Sequence, residues 1–156
     1  NELLNVLLSK NEIFSLINAS NAYSPFLHEN YVTSKEDYFK FSDNITYRHF
    51  LSYQNWKDSL GDWGSLECAG NHTIIKDKGT ILKNYCKGLN KDGDIFWLMM
   101  DRNSMDFDAG IGKITYRKGT GKFNKYEGVE CLYAITFLAN GNGTFQKAKC
   151  KFKNDN

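Results

Sequence analysis

The sequence predicts an all-β fold: an antiparallel barrel of eight strands with an N-terminal helical extension. Three observations carry that prediction. From about residue 44 onward, apolar and polar residues alternate with a period of two, the spacing of a half-buried strand. Turn signals separate the alternating runs: KDKG at 76–79, NKDGD at 90–94 and ANGNG at 139–143. Glycine occurs 13 times and proline once, which suits continuous strands with tight corners.

Taken in order, Leu3, Leu4, Leu7, Leu8, Phe14 and Ile17 recur at helical spacing. Residues 2–18 therefore read as one amphipathic helix or two short ones, packed over the barrel or its mouth. Residues 19–34 are loop-like and hold Pro25. TSKED at 33–37 has the form of a capping box, Thr33 with Glu36, which predicts a short helix after it. Residues 1–40 are thus assigned to a helical and loop extension, and 41–156 to the barrel. The first barrel strand alternates Ile45, Tyr47, His49, Leu51 and Tyr53 with Thr46, Arg48 and Ser52. Further strands are expected near 64–75, 79–88, 94–102, 109–118, 129–139 and 143–153. The strand DIFWLMMDR at 94–102 differs, because Ile95, Trp97 and Met99 are apolar on one face and Phe96, Leu98 and Met100 on the other. A sheet with one wet face does not need this, so the outer face should be covered, by the N-terminal helix or by a second subunit in a homo-oligomer.

The chain of 156 residues fits one domain, and a hydrophobic content of 41% with 15% aromatics gives it a core to bury. A net charge of +2 is too balanced to point to nucleic acid. No run is long and apolar enough for a transmembrane helix. The first residues, NELLNVLLSKNEIF, lack the basic start of a signal peptide. Cys68, Cys86, Cys131 and Cys150 form no C-x-x-C pair, and His28, His49 and His72 are far apart, so neither a metal site nor a cofactor is expected. Four cysteines without metal spacing predict two disulfides, hence a secreted or periplasmic protein whose signal has been removed.

Register assigns the disulfides. If Asn140-Gly141 forms a two-residue turn, Cys131 faces Cys150 directly across the hairpin. Cys68 and Cys86 flank KDKG almost symmetrically. The predicted pairs are 68–86 and 131–150.

Several stretches carry a hint of chemistry. In RKGTGKFNKYEG at 117–128, Gly119, Gly121 and Lys122 have the wrong spacing for a phosphate loop, and a strand, not a helix, is expected to follow. These glycines read instead as barrel bends or bulges. NKDGD alternates Asn90, Asp92 and Asp94 like a calcium loop, but its glycine comes too early and strands flank it, so it reads as a hairpin turn. Asp101, Asp106 and Asp108 fall in a connection and would need burial to act as acid or base. Lys147, Lys149, Lys151 and Lys153 form a period-two outer stripe opposite Ala148, Cys150 and Phe152. Trp56 and Trp63 bracket a loop, WKDSLGDWG, too long for a tight turn.

The order of CAG at 68–70, NYCKG at 84–88, NKDGD at 90–94 and GIGKITYRKGTGKFNKYEG at 110–128 resembles secreted bacterial proteins of the allene oxide cyclase barrel-like type. The resemblance covers residues 64–137. It implies an eight-stranded antiparallel barrel of the lipocalin or allene oxide cyclase kind, often oligomeric among the plant cyclases and dirigent proteins. It implies little about activity, since most bacterial members have none assigned, and no catalytic residue is carried over from it. Asn90 stands where the family's turn begins with an acid.

The function expected from these features is non-catalytic: a secreted barrel binding a small, partly apolar molecule at its mouth through Tyr47, His49, Tyr53, Trp56 and Trp63. One alternative is a cofactor-free isomerase or cyclase with Glu67 or Glu130 as its lumenal acid or base. Another is a structural, oligomeric protein whose barrel is filled.

Overall fold

A computed structural model gives the fold, describing residues 26–30, 33–106, 109–137 and 144–152. Nine strands make one sheet: β1 (Phe26–Asn30), β2 (Thr33–Ser42), β3 (Ile45–Asp58), β4 (Trp63–Ile75), β5 (Gly79–Asn90), β6 (Ile95–Ser104), β7 (Ala109–Gly119), β8 (Glu130–Phe137) and β9 (Thr144–Lys151). Every pairing is antiparallel, in the order β1-β9-β8-β7-β6-β5-β4-β3-β2.

The all-β antiparallel prediction holds; the closed eight-stranded barrel does not. β1 and β2 follow one another along the same edge of β3. β2 takes Ile45–Tyr53, and β1 meets β3 only at Phe26↔Asp58 and Leu27↔Lys57. The other edge of β1 pairs with Thr144–Ala148 of β9. At one end, therefore, the two margins of the sheet touch through β1. At the other end β2 has no strand on its second edge among the described residues, because β9 has spent its pairing on β1. The sheet is rolled but not closed into a barrel.

The N-terminal part needs further correction. The helix predicted over 2–18 lies outside the described residues. TSKED starts strand β2 rather than capping a helix, and the carboxylate of Glu36 reaches Arg48 on the neighbouring strand instead of a helix amide. The division at residue 40 runs through β2, so β1 and β2 belong to the same sheet as the rest.

Alternation buries one face. Phe50, Leu66, Cys68, Leu82, Cys86, Phe96, Leu98, Met100, Ile114, Tyr116, Cys131, Tyr133 and Cys150 all point inward from seven strands. No described helix layer covers that face, so the sheet covers it with itself. Cys68 pairs with Cys86, and Cys131 with Cys150, as the register predicts. Both pairs lie directly opposite one another on adjacent strands.

One end of the interior is packed with rings. Trp56 meets Phe96 edge-on at 5.5 Å and Phe123 at 6.2 Å, and Tyr126 packs on Tyr116 and Phe152 at 5.5 and 4.9 Å. Phe123 and Tyr126 come from the GTGKFNKY stretch, 119–126. It is not a strand bend but a 3₁₀ helix, Gly121–Tyr126, that plugs this end. Gly121 is required at its start: φ is +50°, and a side chain there would run into the carboxylate of Asp94. That carboxylate also accepts from the backbone N–H of Lys122 at 3.3 Å, so an acid occupies the place a phosphate would need. The plug is tied down by Thr120, which donates its amide to the Ile95 carbonyl at 2.8 Å, and by Lys122, whose ammonium pairs with buried Asp62 at 2.5 Å. NKDGD is the β5–β6 turn. Asn90 Oδ1 accepts from the amides of Asp92 and Asp94 at 3.1 and 2.8 Å, which explains an amide side chain at its first position.

The outer side chains of β6, Ile95, Trp97 and Met99, are half-buried, and among the described residues no second layer lies over them. Lys118 stands over the Trp97 ring at 6.0 Å. Lys147, Lys149 and Lys151 alternate with inward Gln146, Ala148 and Cys150, as expected; Lys153 lies outside the described residues.

The Cys131–Cys150 bridge spans 19 residues of sequence. Replacing both cysteines by Ala is expected to cost about 3 kcal/mol of unfolding free energy, the chain-entropy value for such a loop. Urea unfolding of the variant against the unreduced parent measures it.

Candidate functional site

The five residues predicted to line a mouth are divided: Tyr47, His49 and Tyr53 lie on the outer surface of β3, while Trp56 and Trp63 share one cleft. Tyr47, His49, Tyr53 and Trp63 all face outward, with Tyr53 51% and Trp63 58% exposed. His49 is engaged with Asn71 Oδ1 at 2.9 Å on that outer surface. Trp56 alone points inward. It is a core ring whose indole N–H donates to the Ser65 carbonyl at 3.1 Å. The cause is parity: Arg48, Phe50 and Ser52 take the inner positions of β3, so the odd-numbered residues before them and after them go out. Trp56 and Trp63 close a hairpin whose loop is four residues, Ser59–Asp62, tightened by Asp58 Oδ1 accepting from the amides of Leu60 and Asp62 at 2.9 and 2.8 Å. Trp63 and part of Trp56 border one open cleft of about 560 Å³, with Asn55, Lys57, Leu89 and Lys91.

The proposed acids and bases also miss the interior. Glu67 is exposed, and Glu130 lies outside, paired with Lys113 at 3.0 Å. Asp106 is exposed, Asp101 sits on the outer side of β6, and Asp108 lies outside the described residues. Among the described residues no cluster of His, Cys, Asp and Glu could hold a metal ion.

A different constellation lies inside, at the end away from the plug. Strand register sets it out on one row: Arg48 opposes His72, His72 opposes Leu82, Leu82 opposes Arg102, Arg102 opposes Gly112 and Gly112 opposes Tyr133. All six point to the interior because they share one parity. His72 is 1% exposed and sits between the two guanidinium groups, with Arg48 Nη1 at 3.5 Å from Nδ1 and Arg102 Nη2 at 3.4 Å from Nε2. Glu36 of β2 holds Arg48 through Nε at 2.9 Å and through Nη2, and also accepts from the Tyr38 hydroxyl at 2.9 Å. Gly112 makes room for Tyr133, since any Cβ at 112 would overlap the phenol ring.

These surroundings fix protonation. Burial first, then the charges of Arg102 and Arg48, bring the pKa of His72 down to about 3, with Glu36 opposing weakly. At neutral pH the ring is uncharged. It then offers one acceptor nitrogen and one N–H, while a guanidinium only donates, so only one of the two arginine contacts is a hydrogen bond. Burial, partly offset by Arg102, pushes the Tyr133 phenol well above its ordinary value, so it stays a neutral donor. Around the row, Tyr133 OH, Gln146 Nε2 and Asn84 Oδ1 are buried without a hydrogen-bond partner among the described residues. Each such group costs about 1–3 kcal/mol unless water or a ligand satisfies it. The arrangement sets guanidinium donors beside an uncharged imidazole, a donor set chemically matched to an anion.

Sequence reasoning missed Arg48, His72, Arg102, Asn84, Tyr133 and Gln146. A signal was present. Arg102 continues the inward parity of Phe96, Leu98 and Met100, and a charge on an apolar parity marks a buried polar site.

The low pKa gives a pH prediction. In the unfolded chain His72 takes up its proton near 6.5, but in the fold only near 3. Between those values the unfolded state binds more protons, so stability falls as pH drops from 6.5 towards 3 and this contribution is constant above 6.5. His72→Gln is expected to flatten that part of the profile, read from urea midpoints at stepped pH. An unchanged slope would show that His72 is not the group responsible. No family model, curated protein or solved structure matches this chain.

Proposed function

We propose that the protein is a secreted, non-catalytic binder of a small organic anion, held in the polar half of the rolled sheet. One observation carries the reading: two buried guanidinium groups converge on one buried, uncharged imidazole. Guanidinium is the side chain best matched to carboxylate and phosphate, and the interior raises the strength of such contacts. The edge of β2 that has no strand beside it among the described residues lies next to Arg48 and Glu36, and we place the entrance there. The two disulfides support secretion, and the described residues include no helix long and apolar enough to cross a membrane. The resemblance to the allene oxide cyclase barrel-like type remains part of this proposal as a scaffold without an assigned reaction. The partly apolar ligand expected from the sequence gives way to a smaller, charged one, because aromatic rings already fill the other half of the interior.

Isothermal titration calorimetry of the unreduced protein with small carboxylates and with inorganic phosphate tests this. Saturable binding of at least one anion is expected, weakened tenfold or more in Arg102→Met. Native mass spectrometry on gently purified protein should show an adduct of low mass that leaves on denaturation. A protein that carries no adduct and binds none of these anions would sink the proposal.

A further inference from the structure

We infer that the anion carries a hydroxyl next to its charged group, so that the ligand class is a short 2-hydroxy acid. This rests on the anion-binding reading above. The two arginines supply only donors, and a plain carboxylate supplies only acceptors. Such a ligand satisfies guanidinium N–H groups and gives nothing to Asn84 Oδ1, an acceptor without a partner on a residue 5% exposed. Two further orphan groups, Tyr133 OH and Gln146 Nε2, lie on residues 0% and 2% exposed. These three groups beside Arg102 are therefore mixed, an amide oxygen that accepts, an amide nitrogen that donates and a phenol that can do either, and a hydroxyl is the smallest group that both gives and takes a hydrogen bond.

The register puts these groups around the arginine row. Asn84 lies on β5 two residues beyond Leu82, which opposes Arg102. Tyr133 lies on the row itself, across Gly112 from Arg102. Gln146 opposes Ile135, two residues from Tyr133 on the same inner face of β8. The amide oxygen stands on one side of Arg102, the phenol and the amide nitrogen on the other. A carboxylate at Arg102 with a hydroxyl on the adjacent carbon presents one donor and extra lone pairs to these neighbours. A hydrocarbon chain of any length would not, and it would find the aromatic end already occupied by Trp56, Phe96 and Phe123.

The test compares two acids that differ by the hydroxyl alone, propionate and lactate, by isothermal titration calorimetry on the full, unreduced chain at pH 7. Lactate is expected to bind at least tenfold more tightly. In Asn84→Leu the ratio should fall to about one, and Tyr133→Phe should lower it as well. The second variant serves if the first does not fold. Equal binding of the two acids by the parent protein would overturn the inference and assign the orphan groups to buried water. A lactate preference that survives both substitutions would overturn it too. If neither acid nor phosphate binds, the anion reading itself fails, an outcome distinct from equal binding.

Discussion

A single sheet with one apolar face and, among the described residues, no second layer buries that face against itself. The rest of this structure depends on that constraint. Thirteen inward apolar or sulfur-bearing side chains on seven strands are met, among the described residues, by rolling the sheet. Rolling nine strands forces close backbone approaches, and glycine supplies them: Gly88 lies under the Phe96 ring and Gly112 under Tyr133. It also leaves two open ends. The 3₁₀ helix Gly121–Tyr126 closes one by inserting Phe123 and Tyr126, and the ion pair of Lys122 with Asp62 holds it in place. The margin left unpaired by β1 and β2 leaves the other end different in kind.

The interior is accordingly divided. Towards the plug the neighbours of each strand are rings and sulfurs, in edge-on contacts at 5.5 and 5.3 Å and a tilted one at 4.7 Å that favour a solid, dry fill. Towards β2 the same strands carry Arg48, His72, Thr80, Asn84, Arg102, Thr144 and Gln146, all buried. The change occurs within single strands. β6 runs Phe96, Leu98, Met100, Arg102 along one face, so three residues of core lead directly to a buried charge. The two disulfides cross the middle, one on each side of the roll, and keep the register that puts both halves in line.

Much of the sheet was legible because it rests on local signals. Period-two alternation and turn dipeptides found β3 to β9 within a few residues, and the hairpin register found both disulfides. What was not legible depended on long-range choices. Alternation shows that a strand has two faces, not which one turns in. In β3 both faces carry aromatic or polar groups, so Tyr47, His49 and Tyr53 were aimed inward when Arg48, Phe50 and Ser52 hold those places. The TSKED capping box failed for a similar reason: Glu36 has a stronger partner in Arg48, twelve residues away, than any helix amide. The split between β1 and β2 depends on which strand claims β9, and nothing local records that.

The polar half also bears on why such residues persist. Burying two guanidinium groups is costly, and in other folds well-packed apolar replacements of buried ions are often neutral or stabilising. This chain packs such replacements a few residues away, at Phe96, Tyr116 and Phe123. The sheet can therefore fill an interior with rings. Stability alone gives no reason to place Arg48, Arg102 and an uncharged His72 on one row, or to leave an amide oxygen, an amide nitrogen and a phenol unmatched beside them. A ligand that accepts from the arginines and meets those three groups would supply that reason.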